Sequence, residues 1–567
     1  MHFLLDYTAC LKYYSATMYL DTVKNKQGDK TYTRYLLRES YREGKKVKHR
    51  TIANLSHCSP DEIEAVRLAL KHKKQLTELL DGTTKTGEGE TLKQGLSVGA
   101  VWVIADIARQ IGITAALGNT NEGKLALWQV IARVIDQGSR LSAVRLAGYH
   151  AACDIVGLGK FNEDHLYTNL DWLAENQATI EDRLFKQSFS STGLYLYDVT
   201  SSYLEGTQNE LGAFGYNRDK KRGKLQIVIG LLCNESGVPL SIEVFSGNTN
   251  DTKTLLPQVD KIKNRFGGGE VTLVGDRGMI KNTHLEEIRE SGLHYITAIT
   301  KPQIEKLLKA GVLQLELFDT ELAEIETAEG VRYVMRRNPQ RALEIETSRQ
   351  EKLGTINNAV TKQNTYLQEH TKAKGEVALK KITAKIARLQ TAEWLSATIE
   401  NRVITIVTDA EALVAESKLD GCYAIKTDLS KEMASKDTIH TRYKDLTHVE
   451  MAFRTSKTVE LEMRPINVRL ESRTRGHVFV VMLAYKIVQE LAKRWRAIDL
   501  TVEEGIKELS TLCSIEVEMN GCGKISQIPE PRASIKKLLK AANVRLPDVL
   551  PSKGIIVSTK KKLTDSR

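Results

Sequence analysis

Apolar residues change their spacing along the chain, and these changes divide it into regions of different predicted structure. Residues 18–55 alternate apolar and polar positions between turns, which predicts a small antiparallel β meander. Ser59 and Pro60 suit the N-cap and the first position of a helix, which is expected to run through Lys74. Residues 76–92 are polar and rich in Gly and Thr, which indicates a linker.

A helical pattern follows the linker, and a strand pattern comes next. Residues 98–189 place apolar side chains at helical spacing, which predicts a compact helical domain. Residues 193–199, 225–233 and 238–245 are apolar runs of strand length, after which helix and strand patterns alternate up to residue 300. Three strands followed by such alternation predict a mixed α/β sheet rather than a doubly wound parallel one.

Residues 302–430 interrupt this α/β pattern. The charged stretch at 342–395 has helical spacing and predicts a helical hairpin with a break near Gly375. Short strand patterns accompany it at residues 314–318, 331–336, 403–408 and 421–427. We therefore predict an α+β insertion domain, followed by a return to the sheet fold and a helix from Gly476 to Trp495.

Composition limits the class of protein. A chain of 567 residues with 41% hydrophobic residues is globular and long enough for two to four domains. Its net charge of +11 favours an anionic partner, such as nucleic acid or a membrane surface. No membrane span is expected, because Lys486 ends the apolar run at 478–485 well before the ~20 residues that a span needs. Seven scattered cysteines without a CxxC pair argue against a disulfide framework or a zinc site and favour a reducing cytoplasm.

The predicted meander at residues 18–55 is basic and differs in composition from residues 1–17. Residues 1–17 have a different composition, so they are expected either to be a non-native extension, with Met18 as the true start, or to be a frayed segment. The predicted meander is rich in Lys and Arg, which suits backbone contact with DNA and equally suits a solvated sheet edge that resists aggregation.

Three acidic residues occupy positions that suit metal-dependent phosphoryl chemistry. Asp198 and Asp276 each follow an apolar run and are expected at strand ends, where a carboxylate remains accessible. Glu450 lies in a segment with helical spacing. Together these carboxylates could supply hard oxygen ligands for Mg²⁺ or Mn²⁺. Two such ions, about 3.5–4 Å apart, can activate an attacking oxygen and stabilise a leaving oxygen at phosphorus.

The segment around Glu450 places several polar residues together. Tyr443, Glu450 and Lys457 are spaced seven apart, so they are predicted to project from one stripe of a single helix, with Arg454 at its border. A solvent-exposed charged face with a Glu–Arg pair, worth ~0.3–0.5 kcal/mol, is the alternative interpretation.

These motifs resemble those of a known enzyme family. The segments YDVTSSYLEG around Asp198, LVGDRGM around Asp276 and YKDLTHVEMAFRTSK around Glu450 resemble the three acidic motifs of DDE transposases of bacterial insertion sequences. The similar superfamily carries a Y-x2-R-x3-E-x6-K signature and an insertion before the catalytic Glu. Tyr443 and Lys457 match that signature, whereas Leu446 stands at its Arg position, so Arg442 or Arg454 would have to replace that contact.

The resemblance implies a fold, an activity and partners. It implies an RNase H-like mixed-sheet core whose Asp198, Asp276 and Glu450 are catalytic and bind two Mg²⁺ or Mn²⁺ ions. The reaction would cleave double-stranded DNA at the inverted-repeat ends of the element and join the 3′-OH ends to target DNA. A homodimer is implied because two ends must be brought together, and a bacterial cytoplasmic, nucleoid-associated location is expected. The implied DNA contacts are made by Tyr443, Arg454 and Lys457. The basic run that includes Arg464 and Arg473 could extend this DNA-binding surface or could be a solvated loop.

Two alternatives and a domain division complete the prediction. The chain could be a catalytically silent, transposase-derived DNA-binding protein, or a metal-dependent nuclease that has the same core and no joining activity. The predicted domains are 1–17, the extension; 18–92, the basic meander, helix and linker; 93–190, helical; 191–301, first part of the core; 302–430, the insertion; 431–498, second part of the core; and 499–567, a C-terminal segment.

Overall fold

The computed structural model divides the chain into two compact units. One comprises Met1–Gly95, Ser514–Ile528 and Asp548–Pro551, and the other comprises Leu96–Cys513, Pro529–Pro547 and Ser552–Arg567. The residues that the structure describes are 17–27, 30–43, 46–71, 91–187, 193–266, 271–277, 279–280, 282–458, 460–519, 523–550 and 554–560. The predicted extension before Thr17 and most of the predicted linker therefore lie outside the described residues.

The described elements are numbered here in chain order. The strands are β1 (Thr17–Gln27), β2 (Lys30–Glu43), β3 (Lys46–Asn54), β4 (Thr91–Ser97), β5 (Leu194–Tyr203), β6 (Gln226–Asn234), β7 (Pro239–Ser246), β8 (Val271–Gly275), β9 (Leu293–Ala298), β10 (Ala323–Glu326), β11 (Arg332–Arg337), β12 (Leu395–Glu400), β13 (Val403–Thr408), β14 (Cys422–Thr427), β15 (Cys513–Met519), β16 (Gly523–Gln527) and β17 (Val549–Leu550).

The α-helices are α1 (Pro60–Lys71), α2 (Gly99–Gln110), α3 (Ile113–Leu117), α4 (Asn121–Ile135), α5 (Arg140–Tyr149), α6 (Ala152–Val156), α7 (Glu163–Gln187), α8 (Asp251–Lys261), α9 (Asn282–Glu290), α10 (Lys301–Lys309), α11 (Pro339–Glu369), α12 (Gly375–Arg388), α13 (Ala410–Ser417), α14 (Lys436–Lys444), α15 (Leu446–Lys457), α16 (Glu471–Arg494), α17 (Val502–Ser510) and α18 (Ala533–Ala542). None of these helices is both long and apolar enough to cross a membrane.

The unit that contains the N-terminus has two sheets, one built from consecutive strands and one built from strands that are distant in sequence. Strands β1, β2 and β3 form an antiparallel meander in that order. Strand β4 belongs to a second sheet of order β17-β16-β15-β4. Strands β15, β16 and β17 of the predicted C-terminal segment thus share a sheet with β4, which begins at Thr91 within the expected linker 76–92.

The other unit is built on a mixed eight-stranded sheet of order β10-β11-β14-β9-β8-β5-β6-β7. Strands β5, β6 and β7 are antiparallel neighbours, whereas β8 runs parallel to both β5 and β9. The short strand expected at residues 193–199 is part of the longer β5, which begins at Leu194 and continues to Tyr203. The mixed α/β sheet expected from the pattern of strands and helices is present.

Burial on both faces explains the apolar character of the central strands. Eight consecutive residues of β6 are buried, so this strand has no polar alternation. Helices α8 and α9 cover one face, where Leu255 and Ile288 share a core with Tyr195 and Leu273. Helices α15 and α16 pack against β5 and β7. The apolar run that ends at Lys486 lies within α16 and is buried.

The predicted insertion is only partly separate from the sheet. Strands β11 and β14, expected within the insertion, extend the central sheet beyond β9, and residues 314–318 fall in a 3₁₀ turn rather than a strand. Helices α11 and α12 do form a hairpin with its own core, which includes the β12–β13 pair. Helix α12 begins at Gly375, where an added Cβ would lie 2.6 Å from Ile399 Cδ1.

Candidate active site

The sheet places two of the acidic residues at neighbouring positions. The parallel pairing of β5 with β8 ends with Tyr197 opposite Gly275. Asp198 directly follows Tyr197, and Asp276 directly follows Gly275, so the two acids occupy neighbouring positions. Strand β5 nevertheless continues to Tyr203 along β6, because Asp198 pairs with Leu231. The expectation that Asp198 ends its strand is therefore wrong: only its pairing with β8 ends there.

The third acid comes from a helix that packs on the same strand. Glu450 is exposed on α15, and α15 packs against β5. The single helical stripe expected from the spacing is wrong, because Tyr443 belongs to α14 and the two helices meet at Asp445. Tyr443 is instead directed to the site by its hydroxyl, which donates to Asp276 Oδ1 over 3.4 Å.

The three carboxylates influence one another electrostatically. Burial raises the pKa of Asp198 to about 7, and the negative charges of Asp276 and Glu450 add to this rise. Two contacts oppose it: the backbone N–H of Val199, which donates to Asp198 Oδ1 over 2.7 Å, and the charge of Arg218. The structure thus brings the three acids into one electrostatic environment.

None of these three carboxylates forms an ion pair with a described Lys, Arg or His. Asp276 accepts hydrogen bonds from Tyr443 and from the backbone N–H of Arg277. Within the described parts of the chain, no group of three or more His, Cys, Asp or Glu side chains lies close enough together to hold a metal ion. The acids therefore lie near one another without an ion-pair partner among the described residues.

A fourth carboxylate lies nearby and has the opposite surroundings. The side chain of Asp219 is 3% exposed and accepts from Lys457 Nζ over 3.1 Å and from Arg464 Nη1. It also accepts from the backbone N–H of Tyr203 over 3.2 Å. Lys457 Nζ donates in addition to Thr200 Oγ1 over 2.6 Å.

The positions of Lys457 and Arg464 differ from those expected of DNA contacts. Lys457 is only 9% exposed, and burial lowers its pKa although the negative charge of Asp219 opposes this effect. Arg464 shares the same carboxylate and is 30% exposed. In this structure both cations are held by the protein itself rather than presented to a phosphate.

The other residues expected to contact DNA differ in exposure. Arg473 donates to Asp171 over 3.1 Å and lies over the ring of Tyr167, so it is partly occupied. Arg454 is exposed and forms no ion pair with a described residue. Leu446, at the signature's Arg position, is buried, so Arg454 is the accessible cation on this helix.

Sequence reasoning missed Asp219 and Arg218. The Arg218 guanidinium donates to Asp251 over 2.5 Å, and its charge lowers the pKa of Asp198. Both residues lie in the connection between β5 and β6, where no periodic pattern assigns them a position. The only signal is a lone acid within the basic run at 218–224.

Comparisons with known proteins identify the family of the chain. The family described as IS1634 family transposase, N-terminal domain, matches residues 20–83. The family described as Transposase DDE domain matches residues 190–487, which is more than half of the chain and contains all three acids. No curated protein matches the chain.

Among solved structures, the chain is similar to one of a piggyBac transposase synaptic complex with hairpin DNA, determined by cryo-EM. The identity is 10%, the TM-score is 0.34, and the match covers 72% of this chain and 75% of that one. The family match over more than half of the sequence is the decisive finding. The chain belongs to the DDE transposases of insertion sequences.

Proposed function

We propose that this transposase cleaves DNA at the ends of its insertion sequence and joins the resulting 3′-OH ends to target DNA. The observation that carries the proposal is the group formed by Asp198, Asp276 and Glu450. These acids share one electrostatic environment, and none forms an ion pair with a described residue. Neighbouring carboxylates repel one another and therefore do not stabilise the fold, so we infer a catalytic role for them.

We infer an RNase H-like arrangement for the catalytic core. Three antiparallel strands, β7, β6 and β5, are followed on the other side of β5 by the parallel strands β8 and β9. This order supports the inference because β5 is central and its Asp198 lies beside the residue that follows β8. The additional strands β14, β11 and β10 lengthen the sheet without displacing the acids.

The donor chemistry of the site fits Mg²⁺ or Mn²⁺. Carboxylate oxygens are the ligands that these hard cations prefer, and Asp198, Asp276 and Glu450 would hold them. When bound, two such ions supply charge neutralisation at phosphorus and activation of the attacking oxygen. Since the three acids are not within binding distance of one ion, they must approach one another for this role.

The residues of the chain would prepare the site for an in-line displacement at phosphorus. The Tyr443 hydroxyl orients the Asp276 carboxylate. Because burial raises the pKa of Asp198 to about 7, this carboxyl group must release its proton before it can act as a metal ligand. Arg454, exposed one helical turn after Glu450, is placed to bind a backbone phosphate. Lys457 would reach a phosphate only after leaving Asp219.

Two successive reactions follow from this chemistry. Water attacks phosphorus at the end of the element, and the bond from phosphorus to the 3′ oxygen breaks, which leaves a 3′-OH. That hydroxyl then attacks a phosphorus of target DNA and releases a 3′-OH of the target strand. Positioning and charge stabilisation supply the acceleration, with no covalent protein intermediate.

We propose double-stranded DNA as the partner in both reactions. The net charge of +11 favours DNA, and the N-terminal region of residues 18–190, which includes the basic meander β1–β3, is the part that we expect to recognise the ends. A homodimer is expected to hold two ends together, in the bacterial cytoplasm at the nucleoid. Removal of residues 18–95 should abolish the preference for end DNA over random DNA in a gel-shift assay.

The direct test uses a supercoiled plasmid that carries the inverted repeats flanking the gene. With Mg²⁺ or Mn²⁺, the protein should cut at the repeats and produce joined molecules, and both products should disappear with EDTA or in Asp198→Asn. Cutting without joining would identify a nuclease instead. Binding of the repeats without any cutting would identify a catalytically silent DNA-binding protein.

A further inference from the structure

The connection between β5 and β6 exposes two aromatic side chains. Phe214 is 69% exposed and Tyr216 is 83% exposed. Large aromatic side chains normally bury most of their surface, so two of them in one loop mark a surface that binds something. Residues 204–225 are called the aromatic loop below.

The backbone that carries these two rings is fixed. Gly215, between them, lies so close to Gly247 that an added Cβ would be 2.2 Å from the Gly247 carbonyl oxygen. The buried side chain of Gln226 donates to the carbonyl oxygens of both Tyr216 and Gly247, over 3.2 and 2.8 Å. The rings are therefore displayed on a preorganised backbone, which reduces the entropy cost of binding.

The aromatic loop is tied to the catalytic strand. The backbone N–H of Arg218 donates to Ser201 Oγ on β5 over 3.0 Å, and the charge of Arg218 lowers the pKa of Asp198. The next residue, Asp219, holds Lys457. Arg218 also lies over the ring of Tyr216, 5.7 Å from its centre. A molecule bound on the Tyr216 ring would thus lie close to Arg218, whose charge acts on Asp198.

The charge of the loop indicates an anionic partner. Lys220, Lys221 and Arg222 follow Asp219, and none of them forms an ion pair with a described residue. Lys221 Nζ instead lies 5.7 Å from the centre of the Tyr203 ring. Exposed aromatic rings beside unpaired cations are the combination that binds single-stranded nucleic acid, where bases stack and phosphates bind Lys and Arg.

We propose that the aromatic loop binds unpaired nucleotides of a DNA strand end, with Phe214 and Tyr216 stacked on bases and Lys220, Lys221 and Arg222 on phosphates. The proposal rests on the proposed function, because cleavage at the three acids leaves a strand end next to the loop. Bases in a duplex expose only their edges, whereas stacking on a protein ring requires a base face freed from its neighbours. The rings therefore favour unpaired over paired bases.

The test compares two probes with the full-length protein in EDTA. One probe is a short blunt duplex of mixed sequence, and the other is the same duplex with a single-stranded extension. Wild type should bind the extended probe about tenfold more tightly, the effect expected for one stacked base. The double variant Phe214→Ala, Tyr216→Ala should remove this difference and keep its affinity for the blunt probe. Tyr149→Ala, which removes a 73% exposed ring elsewhere, should behave as wild type.

Two further variants separate stacking from other effects. Phe214→Tyr with Tyr216→Phe preserves both rings and should retain the tenfold preference. Replacement of Lys220, Lys221 and Arg222 by Gln should weaken the binding of both probes. It should also flatten the dependence of log affinity on log salt by about 0.7–0.9 for each phosphate that the loop no longer neutralises.

Three outcomes would overturn the proposal. Equal weakening of both probes by the double alanine variant would mean that the loop contacts duplex backbone. Unchanged binding together with a changed oligomeric state would make the rings an interface between copies of this chain. Unchanged binding and assembly would remove any role for the rings. Because EDTA prevents metal-dependent cleavage, these results do not depend on whether the plasmid test succeeds.

Discussion

Asp198 is part of β5, Asp219 accepts a hydrogen bond from the backbone of the same strand, and the two carboxylates have opposite electrostatic surroundings. Asp219 is 3% exposed and is neutralised by Lys457 and Arg464. Asp198 forms no ion pair with a described residue, and its charged neighbours include Asp276 and Glu450, which raise its pKa further. One carboxylate is stabilised by the protein, and the other is destabilised by it.

This difference separates a structural role from a chemical one. A buried ion pair such as Asp219 with Lys457 fixes the geometry of the aromatic loop against α15 without needing another component. Carboxylates left next to one another are stabilised only by a proton or by an added cation. The contrast therefore predicts which acids act in catalysis, and the variants below test it in order of expected effect.

Glu450→Gln should produce the largest effect. It removes one carboxylate of the unpaired group and little of the surface that binds DNA, so cleavage should fall about a thousandfold or more. Binding of end DNA in a gel-shift assay should change by no more than a few fold. Glu400→Gln, an exposed residue of the β12–β13 pair, serves as the control. Equal loss of binding and cleavage would show that Glu450 has a structural role.

Asp219→Asn should destabilise the fold, since it leaves Lys457 and Arg464 without their shared counter-charge. Loss of one partner of a buried pair costs about 3 kcal/mol of unfolding free energy. The exposed pair of Lys224 and Glu205 offers a matched control, and Glu205→Gln should cost less than about 1 kcal/mol. Urea unfolding measures both, and similar small costs would contradict the structural role of Asp219.

Lys486 carries a buried charge outside the site, and its titration should affect stability. It is buried in α16, and burial lowers its pKa from 10.5 to about 8, while its Nζ donates to the Pro239 carbonyl oxygen. Between these two pH values the unfolded chain binds more protons, so stability should rise with pH through this window. Lys486→Met should flatten that rise and stabilise the protein at neutral pH by about 2 kcal/mol. An unchanged unfolding profile between pH 8 and 10.5 would contradict this account.

Asp198→Asn should stabilise the metal-free protein while it abolishes cleavage. The pKa of Asp198 is raised from 3.8 to about 7, so the folded state binds the proton more tightly within that window. Stability contributed by this group is complete below the lower value and is lost as pH rises through 7. Asparagine cannot ionise, so above pH 7 the variant should be more stable by about 1–2 kcal/mol, after allowance for partial exposure. A destabilised variant in thermal melts with EDTA would argue against mutual repulsion.

Local pattern and motif spacing located the acids, but not every neighbour. The apolar runs before Asp198 and Asp276 are buried strands whose mutual pairing ends side by side, although β5 itself continues past Asp198 to Tyr203. The seven-residue spacing from Tyr443 to Glu450 suggested one helix, whereas two helices, α14 and α15, meet at Asp445. Seven-residue spacing is compatible with either arrangement, because it does not report where backbone hydrogen bonds are interrupted.

The features that sequence missed depend on contacts between distant segments. Strands β11 and β14 join the central sheet through pairing with β9, and β4 shares a sheet with β15 from the far end of the chain. The pairing of Asp219 with Lys457 likewise joins a loop to a helix far along the sequence. Local periodicity carries no information about such partners, since strand pairing and ion pairing are decided by the folded topology.

Calorimetric titration of Mn²⁺ into the full-length protein near pH 8, above the pKa of Asp198, tests the central claim most directly. The account predicts that wild type and Glu400→Gln bind the ion equally, and that Asp198→Asn binds it at least about tenfold more weakly because one ligand is removed. Equal Mn²⁺ affinity in wild type and Asp198→Asn would contradict the claim that the unpaired acids form the metal-binding active site.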